Sequence, residues 1–125
     1  MHLYYLCMRR RADVVAADQA EGLPSPDQVE VAVGALSLLA DPTRLRMLWL
    51  LGNDEQDVGT LAVLSGATPA ATSQHLAKLR LAGLVSVRQD GRRRLYSARG
   101  GHVARLVKEA VFYADHRLSG HPDHP

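Results

Sequence analysis

Cysteine occurs once in the 125 residues, at Cys7. An internal disulfide is therefore excluded, as is a zinc site built from several cysteines of one chain. Aromatic residues make up only 5%, so a core has to be assembled mainly from Leu, Val and Ala. No uncharged apolar run approaches the ~20 residues that span a bilayer. Residues Met1–Arg11 place their apolar part before their basic part, the reverse of a secretory signal. These features read as a cytoplasmic chain with no membrane partner. No glycine-rich phosphate loop and no nucleophile motif is present. The length fits one domain with tails and excludes an α/β barrel.

What the chain does have is charge in one place. The net charge is only +2, yet Lys78, Arg80, Arg88, Arg92, Arg93, Arg94, Arg99 and Arg105 fall within one stretch whose sole acid is Asp90. A local basic segment on a nearly neutral protein points to a polyanion-binding face; the alternative is a solvated charged surface.

Residues 1–26 lack sustained periodicity and end in a Gly-Leu-Pro-Ser-Pro loop. They read as a mobile N-terminal arm, with a short helical piece around 13–21. From Asp27 the apolar positions Val29, Val33, Leu36 and Leu39 or Ala40 recur at helix spacing. Asp41-Pro42 stops that helix and starts another, since aspartate caps and proline suits the first helical position. Leu45, Leu48, Trp49 and Leu51 give its apolar face. A short helix is predicted over 58–65, with Leu61, Ala62 and Leu64 inward, and Gly66 breaks it. Thr68-Pro69 repeats the cap-plus-proline start. The helix that follows, 69–82, carries Leu76, Leu79 and Ala82 inward, and Gly83 closes it. Two β-like runs, 84–88 and 93–98, flank Asp90-Gly91, a dipeptide favoured in tight hairpins. A last helix runs from His102 to about Leu118, followed by a histidine-containing tail over 119–125.

Two helices joined by a tight turn and followed by a basic hairpin make a winged helix-turn-helix, a mainly α fold with one small hairpin. The second helix of the pair is sized for the DNA major groove. With its apolar stripe inward, Ala70, Thr72, Ser73, Gln74 and His75 are left for base edges. Lys78 and Arg80 suit phosphates, and Arg92, Arg93 and Arg94 suit the backbone or an adjacent minor groove. Two segments resemble the paired signatures of the ArsR/SmtB winged-helix repressors. They are Leu39-Ala40-Asp41-Pro42-Thr43-Arg44-Leu45-Arg46-Met47-Leu48 and Ser73-Gln74-His75-Leu76-Ala77-Lys78-Leu79-Arg80-Leu81-Ala82-Gly83-Leu84-Val85. The hairpin with Gly91-Arg92-Arg93-Arg94-Leu95-Tyr96 fits as well. The resemblance spans residues 27–118. It implies a homodimer packed through its terminal helices, bound to a palindromic operator and released by an inducer, usually a metal ion.

The family's thiolate site needs cysteines on the helix before the recognition helix, and residues 57–62 contain none. Soft-ion sensing there is not expected. Histidines instead gather at the end, at His102, His116, His121 and His124. His102 and His116 lie 14 residues apart, about 21 Å along a helix, so one chain cannot hold one ion with both. They share a face, with Glu109 midway. If terminal helices pack antiparallel across a dimer axis, His102 of one copy meets His116 of the other. The family's usual tetrahedral terminal-helix zinc site would place ligands at Gly100 and Tyr113, so this chain departs from it. His102, the Asp115-His116 pair, His121 and His124 resemble the KmtR-type nickel/cobalt sensors of the same family. That resemblance implies up to five N/O ligands, a count suited to Ni(II) or Co(II), with Zn(II) as an alternative. His116 could instead cap the helix C-terminus, and His121 and His124 could be idle tail residues. His2 and Cys7 carry no assigned role. The rival readings are a same-fold repressor with another effector or none, and a metal carrier that does not bind DNA. An enzyme is not expected, because these ligands would saturate the ion and leave no evident general base.

Overall fold

The computed structural model describes residues 22–120. The proposed helical piece around 13–21, most of the N-terminal arm, and His121 and His124 lie outside the described residues. Seven elements follow one another: α1 (Pro26–Leu39), α2 (Pro42–Leu51), α3 (Val58–Ser65), α4 (Pro69–Leu81), β1 (Val85–Asp90), β2 (Arg93–Ala98) and α5 (Gly101–Ser119). The chain divides into two units at Val33/Gly34.

In the first unit, α1 opens with reciprocal hydrogen bonds. The Gln28 backbone N–H donates to Ser25 Oγ at 3.1 Å, and the Ser25 N–H donates to Gln28 Oε1 at 2.8 Å. This is a capping box, in which two otherwise unpaired donors are satisfied at once. It starts the helix at Pro26, one residue before the expected position. Val29, Val31 and Val33 are exposed.

In the second unit, local chemistry sets each boundary. Asp41 accepts from the Arg44 N–H at 2.9 Å, Asp57 from Thr60 N–H at 2.7 Å, and Thr68 from Ala71 N–H at 3.1 Å. Each therefore caps its helix by satisfying an orphan backbone donor. Pro42 and Pro69 sit in the first turns, as the sequence predicted. Gly83, at φ +79°, turns the chain from α4 into β1, a backbone state that costs a side-chain-bearing residue.

The core joins Leu48 and Leu51 of α2, Leu61 of α3, Leu76 and Leu79 of α4, Val85 and Tyr96 of the hairpin, and Val103 and Val107 of α5. Met47, fully buried, adds to the interior. Three expectations about packing need correction. Leu64 is 56% exposed because the short α3 turns it away from the core. Ala82 is exposed because α4 ends at Leu81 and Ala82 is already its C-cap. Val29, Val33 and Leu36 are exposed rather than covered. No described helix is long and apolar enough to cross a membrane.

β1 and β2 form an antiparallel hairpin whose last pair is Asp90 with Arg93. The two-residue tip is thus Gly91-Arg92, not Asp90-Gly91. Gly91 has φ +62° and no non-glycine residue has positive φ among the described residues. This is the pattern of a type II′ turn, which matches the strand twist. A single bridge pairs Gln56 with Tyr96, so the segment entering α3 meets the outer side of β2 at one residue of the two-stranded sheet. Its two backbone hydrogen bonds are 3.0 and 2.8 Å.

Candidate nucleic-acid interface and effector stripe

Helix α4 has two faces. Leu76, Leu79 and Thr72 are fully buried. Ala70, Ser73, Gln74, Lys78 and Arg80 are exposed, as expected for a recognition surface, and Ala77 and Leu81 share that exposed side. At about 100° per residue, Ala70, Gln74, Ala77 and Leu81 fall within about 60° of one another. Thr72 lies about 160° from Gln74. Its placement among the base-reading residues is therefore a correction. The Thr72 hydroxyl donates to the Thr68 carbonyl at 2.8 Å inside the fold, and it cannot reach DNA. His75 is half-buried on the flank of the helix, where its Nδ1 lies 3.3 Å from Arg44 Nη1. Arg44 also donates through Nε to the Leu38 carbonyl at 2.7 Å. One guanidinium thus ties the last turn of α1 to the recognition helix through His75.

The wing completes the interface. Ser73, Ala77, Arg80 and Leu81 of α4 face Arg94 and Tyr96 of β2 across a groove of about 580 Å³. The Arg94 guanidinium stands 5.8 Å from the Tyr96 ring centroid, within cation–π range. Arg92 is exposed at the tip. Arg93 is exposed but paired, with Nη2 2.7 Å from Asp57 Oδ2. Arg88 makes a two-pronged pair with Glu55, at 2.7 and 3.1 Å. The Thr60 N–H, the Thr60 side chain and Arg93 hold the Asp57 carboxyl at about 2, below its ordinary 3.8. The Arg88 hydrogen bond likewise lowers Glu55. Glu55, Asp57, Ala77, Leu81 and Tyr96 were not singled out from sequence. Ala77 and Leu81 follow from the helical period, whereas the carboxylates pair with arginines more than thirty residues away.

Of the candidate effector residues, His102, Asp115 and His116 lie on α5. Val103 and Val107 are buried, and a stripe centred about 120° round the helix from them carries His102, Leu106, Glu109 and Tyr113, all exposed. His116 falls within about 40° of His102 on this side and is half-buried. Asp115 is exposed, about 100° round the helix from His116. His102 Nδ1 lies 3.0 Å from Arg105 Nη2. Since a guanidinium only donates, Nδ1 accepts there and Nε2 carries the proton. Among the described residues, no three His, Cys, Asp or Glu side chains converge closely enough to hold a metal ion. Among the described residues, one chain therefore brings together no part of the expected set except the adjacent Asp115 and His116.

Comparison with known proteins agrees with this architecture. The profile of the bacterial regulatory protein ArsR family matches residues 41–87, from the cap of α2 to β1. The HTH-type transcriptional regulator KmtR of Mycobacterium tuberculosis is 44% identical over 108 residues, covering 84% of this chain and 83% of that protein. The HTH-type transcriptional regulator NmtR of the same organism is 38% identical over 104 residues, covering 82% and 86%. Among solved structures, the homodimeric winged helix-turn-helix DNA-binding domain of a possible ArsR-family regulator from Mycobacterium bovis superposes with a TM-score of 0.70. It is 30% identical and covers 82% of this chain and 97% of that one. With the signature segments, the recognition helix and the wing all in place, the chain belongs to the ArsR family of winged helix-turn-helix transcriptional regulators.

Proposed function

We propose that the protein is a homodimeric repressor of a palindromic operator, released when Ni(II) or Co(II) binds between the terminal helices of the two copies. Ser73, Gln74 and Ala70 read base edges, while Lys78, Arg80, Arg92 and Arg94 neutralise phosphates. His102, Asp115 and His116, joined by His121 and His124, are the assigned metal ligands. The observation that carries the reading is the α5 stripe: two histidines nearly four turns apart, on the side of the helix away from the core. The same side leaves Leu106 and Tyr113 uncovered at 45% and 58% exposure, and a second α5 would cover them.

The donor set fits such an ion. Imidazole nitrogens and a carboxylate suit nickel and cobalt, and several ligands favour six-coordination over tetrahedral zinc. His102 and His116 of one chain lie about 21 Å apart along α5, too far for a single ion, so a site that uses both has to draw on two copies. When bound, the ion supplies cross-linking between copies. The residues of this chain set its terms: whichever ring nitrogen of His102 takes the ion, the Arg105 hydrogen bond at Nδ1 is given up, because coordination at Nε2 moves the ring proton to Nδ1. Through linkage, whatever factor the metal takes from operator affinity, the operator takes from metal affinity, with a coupling of about 1–3 kcal/mol.

The test is a titration of the DNA-bound protein with nickel, cobalt and zinc in turn, followed by fluorescence anisotropy at fixed salt. Release at lower free nickel or cobalt than zinc is expected, and His102→Ala should abolish it while leaving metal-free DNA binding intact. Release that survives His102→Ala sinks the site. DNA binding indifferent to all three metals retains the repressor and removes the metal.

A further inference from the structure

The wing carries its charges on two opposite faces, and the faces differ in sign balance. Side chains alternate along a strand, and directly paired residues of neighbouring strands share a face. The register pairs Asp90 with Arg93, Arg88 with Leu95, and Ser86 with Ser97. The Gln56–Tyr96 bridge extends the register to residues 55 and 57. One face therefore presents Glu55, Asp57 and Asp90 together with Arg88 and Arg93. The contacts bear this out: Ser86 Oγ meets Ser97 Oγ at 3.1 Å, Arg93 meets Asp57, and Arg88 crosses β2 at the level of Leu95 to reach Glu55. Three carboxylates there balance two guanidiniums. The other face presents Arg94 and Tyr96, and it borders the groove shared with Arg80 and Ser73 of α4.

We infer that only the Arg94 face and the Arg92 tip of the wing engage DNA, and that Glu55 and Asp57 are positioning residues that withhold Arg88 and Arg93 from it. The inference rests on the DNA-binding part of the proposed function and assigns which basic residues do not take part. Its basis is directional. Adjacent residues Arg93 and Arg94 cannot both face the recognition helix, and the one that turns away meets a carboxylate already oriented by its cap to Thr60. Exposed ion pairs of this kind add little to stability. Their effect here is to fix where the wing's positive charge points.

The experiment is the salt dependence of binding of the full chain to a short fluorescein-labelled duplex of arbitrary sequence. Each phosphate contact contributes about 0.9 to the slope of log K against log salt. Arg94→Gln should flatten the slope by about that amount for each wing that touches DNA, and Arg93→Gln should leave it unchanged. Asp57→Asn keeps the helix cap, because asparagine caps as well as aspartate, but it removes the charge that holds Arg93. It should steepen the slope by about one contact per engaged wing, with at most a small fall in melting temperature. Combined with Arg93→Gln, it should return the slope to the original value. A residue that merely supported the fold would change melting and affinity with no change in slope.

The inference is overturned if Arg93→Gln flattens the slope as Arg94→Gln does, or if Asp57→Asn leaves it unchanged. If Arg92→Gln and Arg94→Gln are both without effect, the DNA-facing assignment of the wing falls as well, a distinct outcome.

Discussion

Thr72 and Ser73 are neighbours of similar chemistry with opposite fates. Thr72 is sealed in the core with its hydroxyl on the Thr68 carbonyl, whereas Ser73 faces the groove. Thr72→Ala removes a buried methyl group and a hydrogen bond. It is expected to cost about 1–2 kcal/mol in chemical denaturation while the folded fraction binds DNA normally. Ser73→Ala should do the converse, weakening DNA binding with an unchanged denaturation midpoint. A loss of intrinsic DNA affinity in Thr72→Ala would show that the buried hydroxyl does more than hold the helix. The information that separates the two residues was present in the sequence. Thr72 precedes Leu76 by four residues and so shares its buried side. Residue type, a small hydroxyl among other polar residues, outweighed that spacing. Leu81 was obscured for the opposite reason: an apolar residue within an apolar-looking run is read as core, yet it is 92% exposed.

At the scale of elements, boundaries were the most legible feature. Asp41-Pro42, Thr68-Pro69 and Gly83 are local signals, and each acts within three or four residues of itself. The strap across the wing was not legible, because Glu55–Arg88 and Asp57–Arg93 join residues 33 and 36 apart, and nothing local marks the pairing. The Thr60 cap on Asp57, together with these pairs, gives the molecule an acid limb. Asp57 titrates near 2 in the fold against an ordinary 3.8, and Glu55 is lowered from 4.5. Both carboxylates bind protons more readily in the unfolded chain. The stability they contribute is therefore complete above about pH 4.5. It is lost as pH falls, for Glu55 from that point downward and for Asp57 between about 3.8 and 2. Melting temperature measured down this range should fall more steeply for the natural chain than for Glu55→Gln with Asp57→Asn. Parallel curves would mean that neither the Asp57 cap nor the strap favours the ionised carboxylates in solution.

At the scale of the whole molecule, the sequence made the winged helix recognisable through the order of its elements. The candidate effector site was only partly legible. His102 and His116 stand on the anticipated side of α5, but an arrangement that needs two copies cannot be read from one. The uncovered Leu106 offers a direct check on the proposed dimer. Leu106→Glu is expected to shift the protein towards monomer in sedimentation velocity and to weaken DNA binding at least tenfold, since both half-sites must be held together. Unchanged sedimentation would place the dimer contact elsewhere. The bridge at Gln56 has a further bearing on how the protein behaves in company. A free hairpin edge invites strands from other chains to add on, the first step of many aggregates. Here the β2 edge is occupied at Tyr96 by the protein's own backbone. The other edge belongs to β1, where Arg88, Gln89 and Asp90 are exposed, and an incoming strand would meet charge before it met hydrogen-bonding partners. Both edges of the hairpin therefore discourage strand addition between neighbouring copies.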